Sequence, residues 1–289
     1  MPTASPHLGS AVRSDQRWGR IVAVGVIAGF TSGLFGVGGG IVIVPALVMV
    51  ARFPHKLATG TSLGAIVPIS VAGVVGYATA GEVDWAAAAC VSVGAVAGAV
   101  AGTRWLLRIS TPVLQLGFAT AMVLTAAKMF VDDGSGAGRS DLTLGMALAL
   151  VALGVASGIL AGLLGVGGGI IIVPVLTLGF GLPHVLAKGT SLAVILPTAV
   201  IGTARNRQSR LTALRPAAVV GLAGIGSAYL ASRLSIGLDP ELSQTLFAGL
   251  VAVAAVRLAR TGLAGLRAGP RAPAAGGAAR DDLPESGEA

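Results

Sequence analysis

Apolar stretches separated by short polar turns run through most of the chain, and their lengths predict membrane-spanning helices. Residues 1–20 are polar, with Arg13, Arg17 and Arg20 just before the first apolar run. From Ile21 to Phe35 the pattern predicts a helix with Gly25, Gly29 and Gly33 four apart. That spacing lines one face with small residues and lets a second helix approach closely in lipid. Gly36, Gly38, Gly39 and Gly40 then interrupt the run, followed by Ile41–Val44 and Pro45. Glycine admits backbone conformations closed to other residues, and proline starts a helix more readily than it sits inside one. The stretch predicts a helix, a break, and a new short arm beginning at Pro45. A second run carries Gly60-Thr61-Ser62-Leu63 and extends to about Ala80. A third covers about Trp85 to Leu107, with Gly94, Gly98 and Gly102 again four apart, and a fourth about Pro112 to Val131.

The second half repeats this order. Gly165, Gly167, Gly168, Gly169 and Pro174 stand 129 positions after Gly36, Gly38, Gly39, Gly40 and Pro45. At the same offset Gly154, Gly158 and Gly162 match Gly25, Gly29 and Gly33, and Gly189-Thr190-Ser191-Leu192 matches Gly60-Thr61-Ser62-Leu63. Runs at about Thr212 to Leu234 and Pro240 to Leu258 complete the copy. The expected fold is an all-α polytopic membrane protein of two homologous halves. Each half has a glycine-broken helix or hairpin plus three spanning helices, giving about eight hydrophobic segments. The expected domains are a cytoplasmic segment (1–20), a first transmembrane repeat (21–131), an inter-repeat loop (132–141) and a second transmembrane repeat (142–262). Residues 263–289, rich in Gly, Pro, Ala and charge, read as a disordered cytoplasmic tail.

Charge decides how the halves are oriented. If each broken segment crosses once, Arg104 and Arg108 fall outside, against the positive-inside bias. If each is a hairpin returning to its own side, Arg52, Lys56, Arg104, Arg108, Arg205, Arg207, Arg210 and Arg215 all fall inside. Glu82, Asp84, Asp132, Asp133, Asp239 and Glu241 then fall outside. The hairpin pattern gives each half an odd number of crossings and makes the halves inverted repeats, a recurrent plan of secondary transporters. Both termini are then cytoplasmic, in a multi-pass protein of the inner (plasma) membrane. Single crossings remain the alternative.

Composition agrees with a bilayer setting. The 289 residues are 54% hydrophobic and 11% charged, with mean hydropathy +0.86, against about 25% charged residues in ordinary soluble domains. The net charge of +8 comes from arginines between apolar runs and in the tails, which argues against a nucleic-acid-binding face. Cys90 stands alone, which excludes an intramolecular disulfide and a cysteine metal cluster. Nothing in the sequence resembles a catalytic nucleophile–base pair, a metal-ligand set or a cofactor motif. The glycine clusters lack the Lys-Ser/Thr of a phosphate loop and the last glycine of a dinucleotide fingerprint.

The candidate chemistry is anion binding. Gly36, Gly38, Gly39, Gly40, Gly165, Gly167, Gly168 and Gly169 would expose backbone N–H groups at half-helix N-termini, which carry partial positive charge. Their plainer role is tight helix packing. Thr61, Ser62, Thr190 and Ser191 would add hydroxyl donors, or would merely bond their own helix backbone. Lys188, where the first half has Thr59, would attract an anion or snorkel to the interface. His55 and His184 read as interfacial.

These motifs resemble those of the TauE/SafE sulfite-exporter family, also called TSUP permeases. The residues that carry the resemblance are the glycine clusters ending at Pro45 and Pro174 and the Gly-Thr-Ser-Leu motifs at Gly60 and Gly189. Gly81-Glu82-Val83-Asp84-Trp85 also resembles the family's Gly-x-Val-Asp-Trp element. It covers about Ile21 to Leu258, and departs where Arg205–Arg210 replaces the glycine-acidic turn of the first half. The resemblance implies transport of small sulfur-containing or organic anions such as sulfite or sulfonates, by alternating access between the repeats. An anion channel and a non-transporting membrane scaffold are the alternatives; the expected partners are the small anion and the lipid bilayer.

Overall fold

The computed structural model describes residues 8–50, 52–105, 120, 123, 143–165, 167–208 and 212–267. Among them are nine helices and no strand: α1 (Leu8–Phe35), α2 (Gly40–Val50), α3 (His55–Ala78), α4 (Trp85–Trp105), α5 (Leu144–Leu164), α6 (Gly169–Phe180), α7 (His184–Gln208), α8 (Leu214–Gly237) and α9 (Pro240–Arg267). Five stretches are long and apolar enough to span a bilayer: Trp18–Phe35, His55–Ala78, Leu144–Gly162, His184–Gln208 and Leu214–Gly237. The run expected at about 112–131, the loop at 132–141 and residues 268–289 lie outside the described residues. α9 runs to Arg267, beyond the expected end near Leu258. Its continuation carries helix-favouring Ala, Leu and Arg residues, which outweigh Gly262 and Gly265.

The two short helices begin one turn earlier than the prolines indicate. α2 starts at Gly40 and α6 at Gly169, so Pro45 and Pro174 lie inside helices and do not mark the breaks. The glycines alone make the break. Gly36, Gly38, Gly39, Gly165, Gly167 and Gly168 all adopt positive φ, a region other residues rarely enter. A helix restarts at once, and each proline forfeits only the bond its N–H would have made one turn back.

Each break is a reversal. A Cβ on Gly39 would stand 2.7 Å from the Ala28 carbonyl oxygen, and one on Gly168 would stand 2.9 Å from that of Ser157. Both positions are about two turns back along the preceding helix, so the chain folds back against itself as in the hairpin pattern. α2 and α6, of 11 and 12 residues, are roughly 16–18 Å long, about half of a ~30 Å hydrocarbon core.

Helix directions follow from close glycine contacts. Gly25, Gly29 and Gly33 of α1 lie against the carbonyls of Val220, Gly224 and Ala228, so α1 and α8 run parallel. Gly94 and Gly98 of α4 lie against Val151 and Val155, and Gly154 and Gly158 of α5 against Val91 and Ala95, so α4 and α5 are parallel too. At Gly25, Gly29, Gly33, Gly94, Gly98, Gly154 and Gly158 a Cβ would collide with a carbonyl oxygen of the facing helix, whereas Gly162, the last of the α5 stripe, has nothing within 4 Å. α3 meets α8 in parallel, with Gly221 at Ala65 and Gly76 at Ser232. α3 and α7 are antiparallel, since Gly73 faces Leu192 and Gly202 faces Leu63. The counterparts α3 and α7 therefore run in opposite senses, and the halves are inverted repeats.

Helix starts are capped by side chains in the turns. Asp84 Oδ1 accepts from the N–H groups of Ala86 and Ala87 at 3.1 Å, and Asp239 Oδ1 from Glu241 and Leu242 at 2.9 and 3.3 Å. Thr143 does the same for α5 through Met146 N–H. Asp84 is buried while its neighbour Trp85 is exposed, and its carboxylate serves the start of α4 as well as the charge pattern.

Candidate functional site

The two glycine loops meet at one side chain. A Cβ on Gly38 would lie 3.1 Å from Ile195 Cγ2, and one on Gly167 would lie 3.2 Å from the same atom. Ile66, the counterpart of Ile195, closes on Gly38 from the other side, with Cγ2 at 3.5 Å. At the start of α6, Gly169 abuts the Gly36 carbonyl and Ser191 Oγ, at 2.7 and 2.9 Å from its Cβ position. The first intrahelical bonds of α2 and α6 are Val42 N–H to Gly39 O and Ile171 N–H to Gly168 O. The N–H groups of Gly40, Ile41, Gly169 and Ile170 therefore have no acceptor within their own helices.

The Thr-Ser pairs tie the halves together. Ser62 Oγ donates to the Gly165 carbonyl at 2.9 Å, and Ser191 Oγ donates to the Gly36 carbonyl at 2.8 Å. Thr61 Oγ1 accepts from Ala213 N–H at 3.0 Å, and Thr190 Oγ1 from Asp84 N–H at 2.9 Å. All four side chains are buried, and each of these bonds joins one half to the other. A hydroxyl has one proton, so each serine spends its donor on the opposite loop. In this conformation the pairs act as braces for the breaks. Thr190 also donates to Leu186 O one turn back, at 2.7 Å, so the local bonding expected of such residues coexists with the long-range bond.

Lys188 and Thr59 occupy equivalent seats. A Cβ on Gly36 would lie 2.7 Å from Lys188 Cα, and one on Gly165 would lie 2.9 Å from Thr59 Cα. Thr59 is half-buried, whereas Lys188 is wholly buried. Its amine does not snorkel: Nζ donates to Ser235 Oγ at 3.0 Å and to Ser243 Oγ at 2.5 Å. Ser235 Oγ passes its own proton to the Leu34 carbonyl at 3.0 Å, and Tyr77 Oη donates to Gly33 O at 2.7 Å. With Gly36 N–H on Ser32 O at 2.8 Å, three carbonyls that end α1 are paired, though a helix end leaves such groups without intrahelical donors.

His184, read from sequence as interfacial, is buried one turn before Lys188, and His55 is exposed. The His184 ring stands edge-on to Phe247 with centroids 5.2 Å apart, and neither ring nitrogen has a protein partner among the described residues. Tyr77, Ser235 and Ser243 went unrecognised in the sequence. Isolated polar residues in apolar runs usually bond their own helix, and only Tyr77, with a hydroxyl too long to reach its own backbone, carried a usable signal. Among the described residues no group of His, Cys, Asp and Glu is arranged to hold a metal ion.

Inverted repeats, each with a helix broken and turned back inside the apolar bundle, define a membrane transporter architecture. The chain belongs to the TauE/SafE sulfite exporter family, whose model matches residues 3–129 and 150–280. A relative from Xylella fastidiosa strain Temecula1, named "probable membrane transporter protein", is 30% identical over 241 residues, covering 81% of this chain and 91% of the relative. Shorter similarities link the chain to proteins of the same description in Methanocaldococcus jannaschii and Bacillus subtilis. The first is 43% identical over 76 residues, 26% of this chain and 28% of that relative; the second is 30% identical over 111 residues, 38% and 41%. No solved structure matches the chain.

Proposed function

We propose that the protein carries small anions, sulfur oxyanions or organic sulfonates, across the inner membrane by alternating access. The observation that carries this reading is the meeting of both glycine loops at Ile195, beside the N-terminus of α6. Backbone N–H groups there offer partial positive charge in an apolar surround, and Lys188, whose Cα and Cβ pack on Gly36, adds a titratable side chain to the same region. Glycines 36, 38, 39, 40, 165, 167, 168 and 169 form the cradle, in which Gly36 and Gly165 shape the loops, their own N–H groups being bonded to Ser32 O and Ala161 O. Ser62 and Ser191 fix the loops by donating to the Gly165 and Gly36 carbonyls. Thr61 and Thr190 anchor the serines' helices to the turns at Ala213 and Asp84. The family name supports the substrate class, and the placement of Arg and Lys supports cytoplasmic termini.

The test is flux in proteoliposomes containing the purified full chain, with sulfite, methanesulfonate, sulfoacetate, sulfate and acetate as probes. A carrier gives saturable uptake with one or two preferred anions. Conductance that grows linearly with concentration would indicate a channel, and no uptake of any probe would indicate a non-transporting role.

A further inference from the structure

Lys188 has the wrong number of partners for a permanent ammonium. An ammonium has three N–H donors and no acceptor, whereas a neutral amine has two donors and a lone pair. Among the described residues the hydrogen-bond partners of Nζ are two hydroxyls, Ser235 Oγ and Ser243 Oγ. Two acceptors complete a neutral amine and leave an ammonium with one proton unmet. Wholly buried, an unpaired positive charge is heavily penalised in a bilayer interior.

Among the described residues the ionisable groups around it supply no counter-charge. On its own helix His184 precedes it by one turn and is itself basic. From α3, Tyr77 gives its proton to Gly33 O. In the turn after α3, Asp84 caps α4, and the Glu82 backbone carbonyl packs on Gly189 while its side chain is half-buried. From the α8–α9 turn, Asp239 caps α9, and Glu241 is exposed. From α1 the Leu34 carbonyl is reached through Ser235.

We propose that Lys188 is a proton-carrying site, taking up its proton together with the anion, so that the protein moves one proton with each monovalent anion. This rests on the anion-transport reading above. An anion arriving at the Gly36 loop supplies the missing counter-charge, and a proton from the same face joins the Nζ lone pair. The third N–H then donates to the anion, and the pair is neutral. On release at the opposite face the proton leaves for water, and the amine returns to the two-hydroxyl seat. Thr59 cannot hold a proton in this way, so of these two equivalent seats only that of Lys188 is such a site.

Methanesulfonate is the probe, because its charge is fixed across the working pH range. Wild-type proteoliposomes loaded with a lumenal pH dye should acidify inside as methanesulfonate enters, one proton per anion, and uptake should quicken when the outside is made acid. Lys188→Met should lower uptake at least tenfold and abolish acidification. Lys188→Arg keeps a charge that is not released, so it should retain methanesulfonate exchange across the membrane while net uptake falls at least tenfold. Wild-type uptake without acidification, or Lys188→Arg with wild-type net uptake, overturns the proposal while leaving anion transport intact. No uptake of any anion by wild type would remove the anion reading and the proposal with it.

Discussion

Ser191 hands its hydroxyl proton to the carbonyl of Gly36, 155 positions earlier in the chain, over 2.8 Å. Ser62 makes the matching bond to Gly165. Replacing either serine by alanine leaves a buried loop carbonyl unpaired, at a cost of about 1–3 kcal/mol. Ser191→Ala and Ser62→Ala are each expected to lower the midpoint of thermal unfolding in detergent and to slow transport. Ser227→Ala is the control: its hydroxyl bonds only Gly224 O in its own helix, and it should stay within about 0.5 kcal/mol of wild type. Equal midpoints for all three would mean that the crossed bonds hold nothing.

Gly39→Leu and Gly168→Leu test the breaks. Both glycines have positive φ, and their Cβ positions lie against Ala28 and Ser157. Leucine promotes helix and cannot occupy that space. Both variants should reach the membrane at normal levels and lose transport. Full flux at normal expression would show that the breaks are not needed.

The parallel interfaces separate glycines that matter from those that do not. A Cβ on Gly29 would stand 2.2 Å from the Gly224 carbonyl, whereas Gly226 has nothing within 4 Å. Gly29→Ala should destabilise by about 1–3 kcal/mol, the usual cost of overpacking. Gly226→Ala should be neutral or stabilising by up to about 1 kcal/mol, as expected for an open helix position. Thermal unfolding of the two variants decides it.

Sidedness can be read with single cysteines in a Cys90→Ala background. Thr61 binds Ala213 and Thr190 binds Asp84, so α3 starts at one end of the bundle with α8 and finishes at the other with the start of α7. Lys56→Cys and Glu241→Cys, both at exposed positions, should therefore label from opposite sides. With the basic ends cytoplasmic, an impermeant maleimide on intact cells should modify Glu241→Cys and spare Lys56→Cys. The reverse pattern would invert the assigned orientation.

Much of this was legible because the physics is local or periodic. A glycine every fourth residue is what close backbone contact in lipid requires, and Gly25, Gly29, Gly94 and Gly98 all lie at such contacts. An odd number of crossings per repeat, read from where arginines fall, implied the inversion seen between α3 and α7. The prolines misled because glycine had already broken each helix, leaving Pro45 and Pro174 nothing to start. Lys188 was singled out as the lone charge beside the motifs, but its serine seat lies 47 and 55 residues away, and no spacing rule connects them. Hydropathy reports the depth of a helix in the bilayer and not its neighbours, so the pairing of α1 with α8 and of α4 with α5 was invisible.

That pairing carries a consequence for how such a chain arises. α1 and α3 of the first half pack on α8 of the second, while α4 of the first packs on α5 and α7 of the second. Each half thus lends a helix to the other, and neither half can cover its own glycine stripes. A chain of half this length would expose those stripes to lipid until it met another copy inserted upside down. Fusing two copies into one polypeptide fixes both the stoichiometry and the opposed orientation at synthesis. It also frees position 188 to become lysine on one side alone, an asymmetry that two identical copies could never hold.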